Sequence, residues 1–394
     1  MPLPPRATRC VRIGDRAVWP VACAFTAALS AAGAAAASGQ TTGPADLAAE
    51  ARRLAKHHSD RLGEGYQTRI DFARHLVYVS ALDAGTSRRV VAELARHADA
   101  HRKLLFGSPL RHNVVILLPS LADYRRIVPA KSVFGFYNPR RRALATVTLS
   151  SVLTHEFVHA LHHNDQLIAG QHHAIWVVEG LATLFQWVEI ADGRPEPRPG
   201  PMLRKLQQDL REGRALGLPR LCRTSRKQFV EAAKITYPQA RWVMMYLHVK
   251  GKLEGFYRRY KAGHGEDPTG LKALEACLDM SVAQIEADWH RWLLARQPPW
   301  RPARAARAHL GVRMAPAEGG VKVTGFARGS AAARAGKLRV GDIVLSVAGR
   351  PTPSAGELAD AVGACRPGQT VEIEVIRGGR TDRFKHLLGA VRGR

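Results

Sequence analysis

The stretch Thr154-His155-Glu156-Phe157-Val158-His159-Ala160-Leu161-His162-His163 constrains this chain more than any other. It carries the pattern H-E-x-x-H inside a run with helical apolar spacing, where Val152, Leu153, Phe157, Val158 and Leu161 form a broad hydrophobic surface. Residues four apart stand one turn apart on one helix face. His155 and His159 can therefore aim imidazole nitrogens at one point, as two ligands of a tetrahedral zinc. Glu156 lies beside that face, where a carboxylate takes a proton from the reacting water rather than binding the metal. With 17 histidines in the chain, a chance pair has to be weighed. The context argues against chance, because Ser150 or Ser151 stands where an N-cap belongs and residues 143 to 149 read as a strand leading in.

A catalytic zinc needs a third protein ligand. One candidate is Asp165, six residues past His159, although a turn-forming Gly is absent at position 162, where His stands. The other is Glu179, 179 − 159 = 20 residues past His159, within Trp176-Val177-Val178-Glu179-Gly180-Leu181-Ala182, a distance that allows a loop and a returning helix. H-E-x-x-H followed by W-x-x-E-G-x-A resembles the gluzincin metallopeptidases, and among them the bacterial peptidase MA-like proteins. The resemblance implies that Glu179 is the third ligand of one zinc per chain, held with His155 and His159, and that Glu156 is the general base. It is strong at the two motifs and looser over residues 65 to 295. There it includes Val114 to Ser120 as a strand and turn, Gly135 to Pro139, and Tyr237-Pro238-Gln239-Ala240 opening a later helix. The fold it implies is α+β, a thermolysin-like zincin domain with a mixed sheet and a helical lobe.

The 394 residues exceed one typical domain and predict two. Arg6, Arg9, Arg12 and Arg16 precede an apolar run from Ala17 to Ala37 that ends on small residues. This is the layout of a secretory signal peptide over 1–37, with an uncleaved anchor as the alternative. Pro20, three residues before Cys23, argues against a lipoprotein signal. The expected location is secreted, periplasmic or envelope-associated. Cys222, Cys277 and Cys365 then remain, enough for one pair and one odd thiol or for three free thiols. The net charge of +26 is spread along the chain and favours anionic envelope surfaces or acidic substrates. No nucleic-acid module is recognisable, and nucleic acid is not an expected partner.

Within the predicted catalytic domain, residues 44–296, the first segment to Glu64 reads as a peripheral helix with Ala48, Ala51, Leu54 and Ala55 as its apolar stripe. Phe72 to Ser80 alternates as a strand, Arg88 to Phe106 is helical, and 113 to 118 and 143 to 149 are further strands, the last an edge strand bordering the metal helix. An extended substrate peptide can add to such an edge. His162 and His163 are read as structural residues on a turn after the ligand helix, and the paired histidines His57-His58 and His172-His173 as solvated or supporting. Gly193 to Pro201 reads as a surface loop and Pro201 to Trp292 as helical. Tyr237 matches the family's Tyr facing the developing oxyanion, with His248 a weaker choice.

Three prolines in Gln297 to Ala303 mark a linker, 297–307. Beyond it, Leu310-Gly311-Val312, Gly329-Ser330-Ala331, Gly341-Asp342-Ile343-Val344, Pro367-Gly368-Gln369 and Ile373 to Gly379 resemble a PDZ domain of the bacterial protease-associated kind, spanning 308–394. That resemblance implies a small β-rich domain in which the backbone of Leu310, Gly311 and Val312 receives a peptide's C-terminal carboxylate, with the helix 354 to 365 closing the groove. The sequence thus points to a secreted zinc metallopeptidase acting on peptides or proteins, whose PDZ domain binds C-termini or partners. The competing class is a catalytically inactive peptidase-like scaffold that works through the PDZ groove alone.

Overall fold

The computed structural model describes residues 43–128, 134–149, 151–199, 202–296 and 307–391. The expected signal segment and nearly all of the Pro-rich linker lie outside them. The chain opens with helix α1 (Pro44–Leu62), strands β1 (Gln67–Asp71) and β2 (Leu76–Ser80), and helix α2 (Ala84–His101). A π-helical turn over Arg102–Phe106 extends α2. Next come β3 (Val114–Leu118), α3 (Leu121–Ile127), β4 (Gly135–Asn138), β5 (Ala143–Thr146), α4 (Ser151–Ala169), α5 (Ile175–Phe185), β6 (Val188–Ala191) and β7 (Arg194–Pro197). A helical lobe follows, with α6 (Leu203–Arg211), α7 (Leu218–Cys222), α8 (Arg226–Glu231), α9 (Ala233–Val249), α10 (Leu253–Ala262), α11 (Leu271–Leu278) and α12 (Val282–Leu294).

The main sheet runs β1-β2-β3-β5-β4. Its inner strands β2, β3 and β5 are parallel and both outer strands are antiparallel. Both faces are buried, and the period of two along each strand sorts the side chains. Leu76, Tyr78, Ile116, Leu118 and Leu144 join the large core with α2, α4 and α5, while Val77, Val79, Val115 and Leu117 face Ala51, Ala55 and Tyr124 of α1 and α3.

Four sequence expectations need correction. The strand over 72–80 is a hairpin whose turn carries an exposed Phe72. The edge strand is β4, because β5 pairs on both sides, with β3 and with β4. The loop after Gly193 contains β7, and the left-handed Asp192-Gly193 pair closes a β6–β7 hairpin. His162 and His163 lie inside α4, which continues to Ala169 because no glycine interrupts it after His159.

The C-terminal region is β-rich: β8 (Arg307–His309), β9 (Val312–Ala317), β10 (Gly320–Phe326), α13 (Ala331–Ala335), β11 (Ile343–Val347), β12 (Arg350–Pro351), α14 (Ala355–Gly363), β13 (Thr370–Arg377), β14 (Arg380–Leu387) and β15 (Gly389–Val391). Its sheet runs β14-β13-β11-β10-β9, with β12 paired to β11. Val321, Val323, Val344, Leu358, Ile373 and Val375 build a core of its own. Among the described residues no helix is long and apolar enough to cross a membrane. The chain is therefore a mixed α+β protein with a separate C-terminal β-rich unit.

Candidate metal centre

The helices α4 and α5 pack against each other and place three donor side chains at one buried point. Nε2 of His155 and Nε2 of His159 are 3.0 Å apart. Oε2 of Glu179 lies 3.6 Å from the first and 3.4 Å from the second. A tetrahedral ion with bonds of about 2.0–2.1 Å holds its ligand atoms roughly 3.4 Å apart, so the triangle has the right size. Among the described residues this is the one such group that could hold a metal.

The electrostatics favour a cation. Glu156 and Glu179 are both fully buried, and the Glu156 carboxyl meets the Tyr137 backbone of β4. Two carboxylates removed from water cost several kcal/mol unless positive charge is supplied. Burial pushes the Glu156 carboxyl up to about 8, helped by the Glu179 charge and opposed by His159. Burial drives His155 down to about 3, so it presents a neutral nitrogen suited to a metal. His159 feels the same burial, but the charge and hydrogen bond of Glu179 outweigh it and raise this histidine above its usual value. A divalent ion fits this donor set of two imidazoles and one carboxylate.

Local packing explains why α5 delivers Glu179 here. The Trp176 indole N–H donates to the Thr269 carbonyl at 2.8 Å, and the Thr183 hydroxyl donates back to the Glu179 carbonyl at 2.5 Å. A Cβ on Gly180 would stand 3.0 Å from Met244 and 3.1 Å from the Ala240 carbonyl, so glycine lets α9 approach α5 closely. Arg241, fully buried in α9, donates to the carbonyls of Thr183 and Leu184 at the end of α5 and to that of Arg198. It also stacks over Trp187 at 5.0 Å. A guanidinium there meets carbonyls that a helix end leaves without partners. Sequence reasoning passed over Arg241, since one Arg within an apolar helix carries no motif.

Asp165 and His248 lie outside the donor group. Asp165 faces away into a separate network, accepting from Tyr257 at 2.5 Å and pairing with Lys261 at 2.7 Å. Tyr237 is buried in the second turn of α9, its ring edge-on to Phe229 at 5.0 Å; the helix begins at Ala233, so Tyr237-Pro238 lies within it and does not open it. His248 sits at the far end of α9, 3.5 Å from Glu196. His162 bonds His173 at 2.7 Å, and His163 bonds the Tyr137 hydroxyl of β4 at 3.0 Å, tying the edge strand to the metal helix. Arg226, the first residue of α8, lies near enough for its charge to oppose protonation of His159, which no motif signalled. Cys222, Cys277 and Cys365 are free thiols.

In the C-terminal unit β9 is the outer strand of its sheet. Leu310 is buried in the core with Leu358 and Val362 of α14, and Val312 packs against that core. Gly311 adopts φ +74°, and a Cβ there would come within 2.4 Å of Ser330. Only glycine fits this left-handed position. Residues 308–387 match the family described as PDZ domain.

This segment is a PDZ domain. Among curated proteins, a probable periplasmic serine endoprotease, DegP-like, from Ectopseudomonas mendocina (strain ymp) is similar, 36% identical over 56 residues. That match covers 14% of this chain and spans only 12% of the relative's length. Among solved structures, the serine endoprotease from Yersinia pestis is similar at 26% identity and TM-score 0.20, over 28% of this chain and 36% of that one. An aminopeptidase N family protein from Idiomarina loihiensis is similar at 13% identity and TM-score 0.36, over 83% of this chain and 67% of that one. A PDZ domain is a module of the peptide- or protein-binding kind.

Proposed function

We propose that the chain is a zinc metallopeptidase of the gluzincin, peptidase MA-like kind, with a thermolysin-like catalytic domain over 44–296 and a PDZ domain that receives peptide C-termini. The observation that carries this reading is the convergence of His155, His159 and Glu179 beside a buried Glu156. His155, His159 and Glu179 would hold the metal. Zinc bound there would polarise the scissile carbonyl and bring a water to reactivity near neutral pH.

Glu156 takes the proton of the attacking water and returns it to the leaving amine, as a carboxylate beside the donor triangle but outside it can. An extended substrate adds alongside β4, the outer strand nearest α4. Tyr237 is assigned to the developing oxyanion on the strength of the family pattern. The Arg-rich signal layout and the PDZ domain support action in the periplasm or envelope, on peptides or proteins, beside anionic surfaces that the net charge of +26 favours.

The test is elemental analysis of the dialysed protein together with turnover of an unstructured protein substrate. About one zinc per chain and chelator-sensitive cleavage are expected. Metal-free protein that zinc cannot activate would remove the enzyme reading and leave an inactive scaffold working through its PDZ groove.

A further inference from the structure

The contact between the PDZ domain and the metal helix is made by buried polar groups. After β5 the chain turns through Val147-Thr148-Leu149 and starts α4 at Ser151, four residues before His155. The Val147 carbonyl accepts the Thr381 hydroxyl at 2.7 Å, and the Leu149 N–H donates to Glu374 Oε1 at 3.1 Å. Both partners belong to the PDZ domain. Glu374 Oε2 accepts the Ser346 hydroxyl at 3.0 Å, and Arg383 Nη2 lies 3.1 Å from Oε1. Arg383 reaches on to Glu93 of α2 at 3.0 Å. A second attachment holds α3, where the Leu121 N–H donates to the Gly379 carbonyl at 3.3 Å and Arg125 pairs with Glu318 at 3.2 Å.

The strand pattern shows that this surface is specific. Along β13, Val371, Ile373 and Val375 point into the PDZ core, so Glu372 and Glu374 point outward. An outward carboxylate of a free-standing domain would face water, yet Glu374 is fully buried. Its partners come from both sides, Ser346 and Arg383 from its own unit and the Leu149 N–H from the other, so the carboxylate is enclosed only where the two units meet. The PDZ domain is therefore seated on the catalytic unit rather than swinging on a linker.

We propose that Glu374 is a positioning residue for the metal centre. By holding the Leu149 N–H it fixes where α4 starts, and with it the rotation and height of His155 and His159 relative to Glu179. This rests on the metal-centre reading above. It adds that the PDZ domain is a brace of the site as well as a peptide binder.

The test uses the full chain with Glu374→Leu, Glu374→Gln and Thr381→Val. Two quantities are read: amide hydrogen exchange over 149–155, and zinc affinity by competition with a chelator. In Glu374→Leu, exchange should quicken at least tenfold and zinc should bind at least tenfold more weakly. Glu374→Gln keeps an oxygen for the Leu149 N–H and should stay within about threefold of wild type on both. Thr381→Val, which removes one hydroxyl, should speed exchange two- to fivefold. A folded Glu374→Leu with wild-type exchange and affinity overturns the proposal. If that variant fails to fold, unchanged exchange in Thr381→Val overturns it instead. Wild-type protein that binds no zinc would remove the metallopeptidase reading, while exchange would still decide whether the brace exists.

Discussion

Glu179 Oε2 lies 3.4 Å from Nε2 of His159, on a different helix and fully buried. A carboxylate in that position is not a solvated helix residue, and it stands where a metal ligand would. Glu179→Ala should lower zinc affinity by at least two orders of magnitude, about 2.7 kcal/mol. Asp165→Ala should leave zinc affinity nearly unchanged while lowering stability, since Tyr257 and Lys261 lose their acceptor. Chelator competition and urea unfolding separate the two effects. A weakened zinc site in the Asp165 variant would make Asp165 the third ligand in place of Glu179.

Glu156→Ala should retain the metal and lose at least a hundredfold in turnover, because the carboxylate stands beside the donor triangle and is not part of it. Metal content and kcat measured on the same preparation check this. Loss of metal with loss of activity would make Glu156 a ligand.

The PDZ groove should bind free peptides with an apolar C-terminal residue at micromolar affinity, near −8 kcal/mol. Amidating the peptide removes the charge received around Gly311 and should weaken binding at least tenfold, about 1.4 kcal/mol. Calorimetry on the full chain reads the difference. Equal affinity for amidated and free peptides would show that Leu310, Gly311 and Val312 do not read a carboxylate.

His101 is fully buried against Phe185 at 4.5 Å, and burial drives it down to about 3. The unfolded chain takes up this proton below about 6.5, the folded chain only near 3. Between those values the unfolded state binds more protons, so the stability is fully present above pH 6.5 and is lost as pH falls towards 3. At pH 5 the loss from this residue is about 2 kcal/mol. His101→Leu should remove that share of the acid sensitivity, seen as a smaller shift of the urea midpoint between pH 7.5 and pH 5. An unchanged shift would place the acid sensitivity elsewhere.

Arg241→Met should destabilise the protein by at least ~2 kcal/mol, because the carbonyls of Thr183, Leu184 and Arg198 lose their donor in a dry site. Arg241→Lys should restore little, since an ammonium cannot span three carbonyls as the planar guanidinium does. Urea unfolding of both variants measures this, and a fully stable lysine variant would contradict it.

His155 and His159 are adjacent on one face because the helix repeat acts within a single turn, and the apolar spacing around them is equally local. The same short-range rules made α1, β3 and the PDZ pattern legible, down to Gly311, whose left-handed backbone admits no side chain. Glu179 was legible as a candidate through its neighbours Trp176 and Gly180. Its meeting with the two histidines came only with the packing of α5 between α4 and α9. Phe72 alternates with the strand residues that follow it, yet it lies on a turn, since the pairing of β1 with β2 decides where the strand ends. The place of β5 inside the sheet depends on both neighbours at once, which no local window contains. Glu374 reads as a surface carboxylate on an alternating strand. It became a buried acceptor only because the fold sets it against Leu149, 225 residues earlier. Local periodicity is written in the spacing of side chains along the chain, whereas such distant partners are chosen by which surfaces exclude water together, and that is decided by the folded whole.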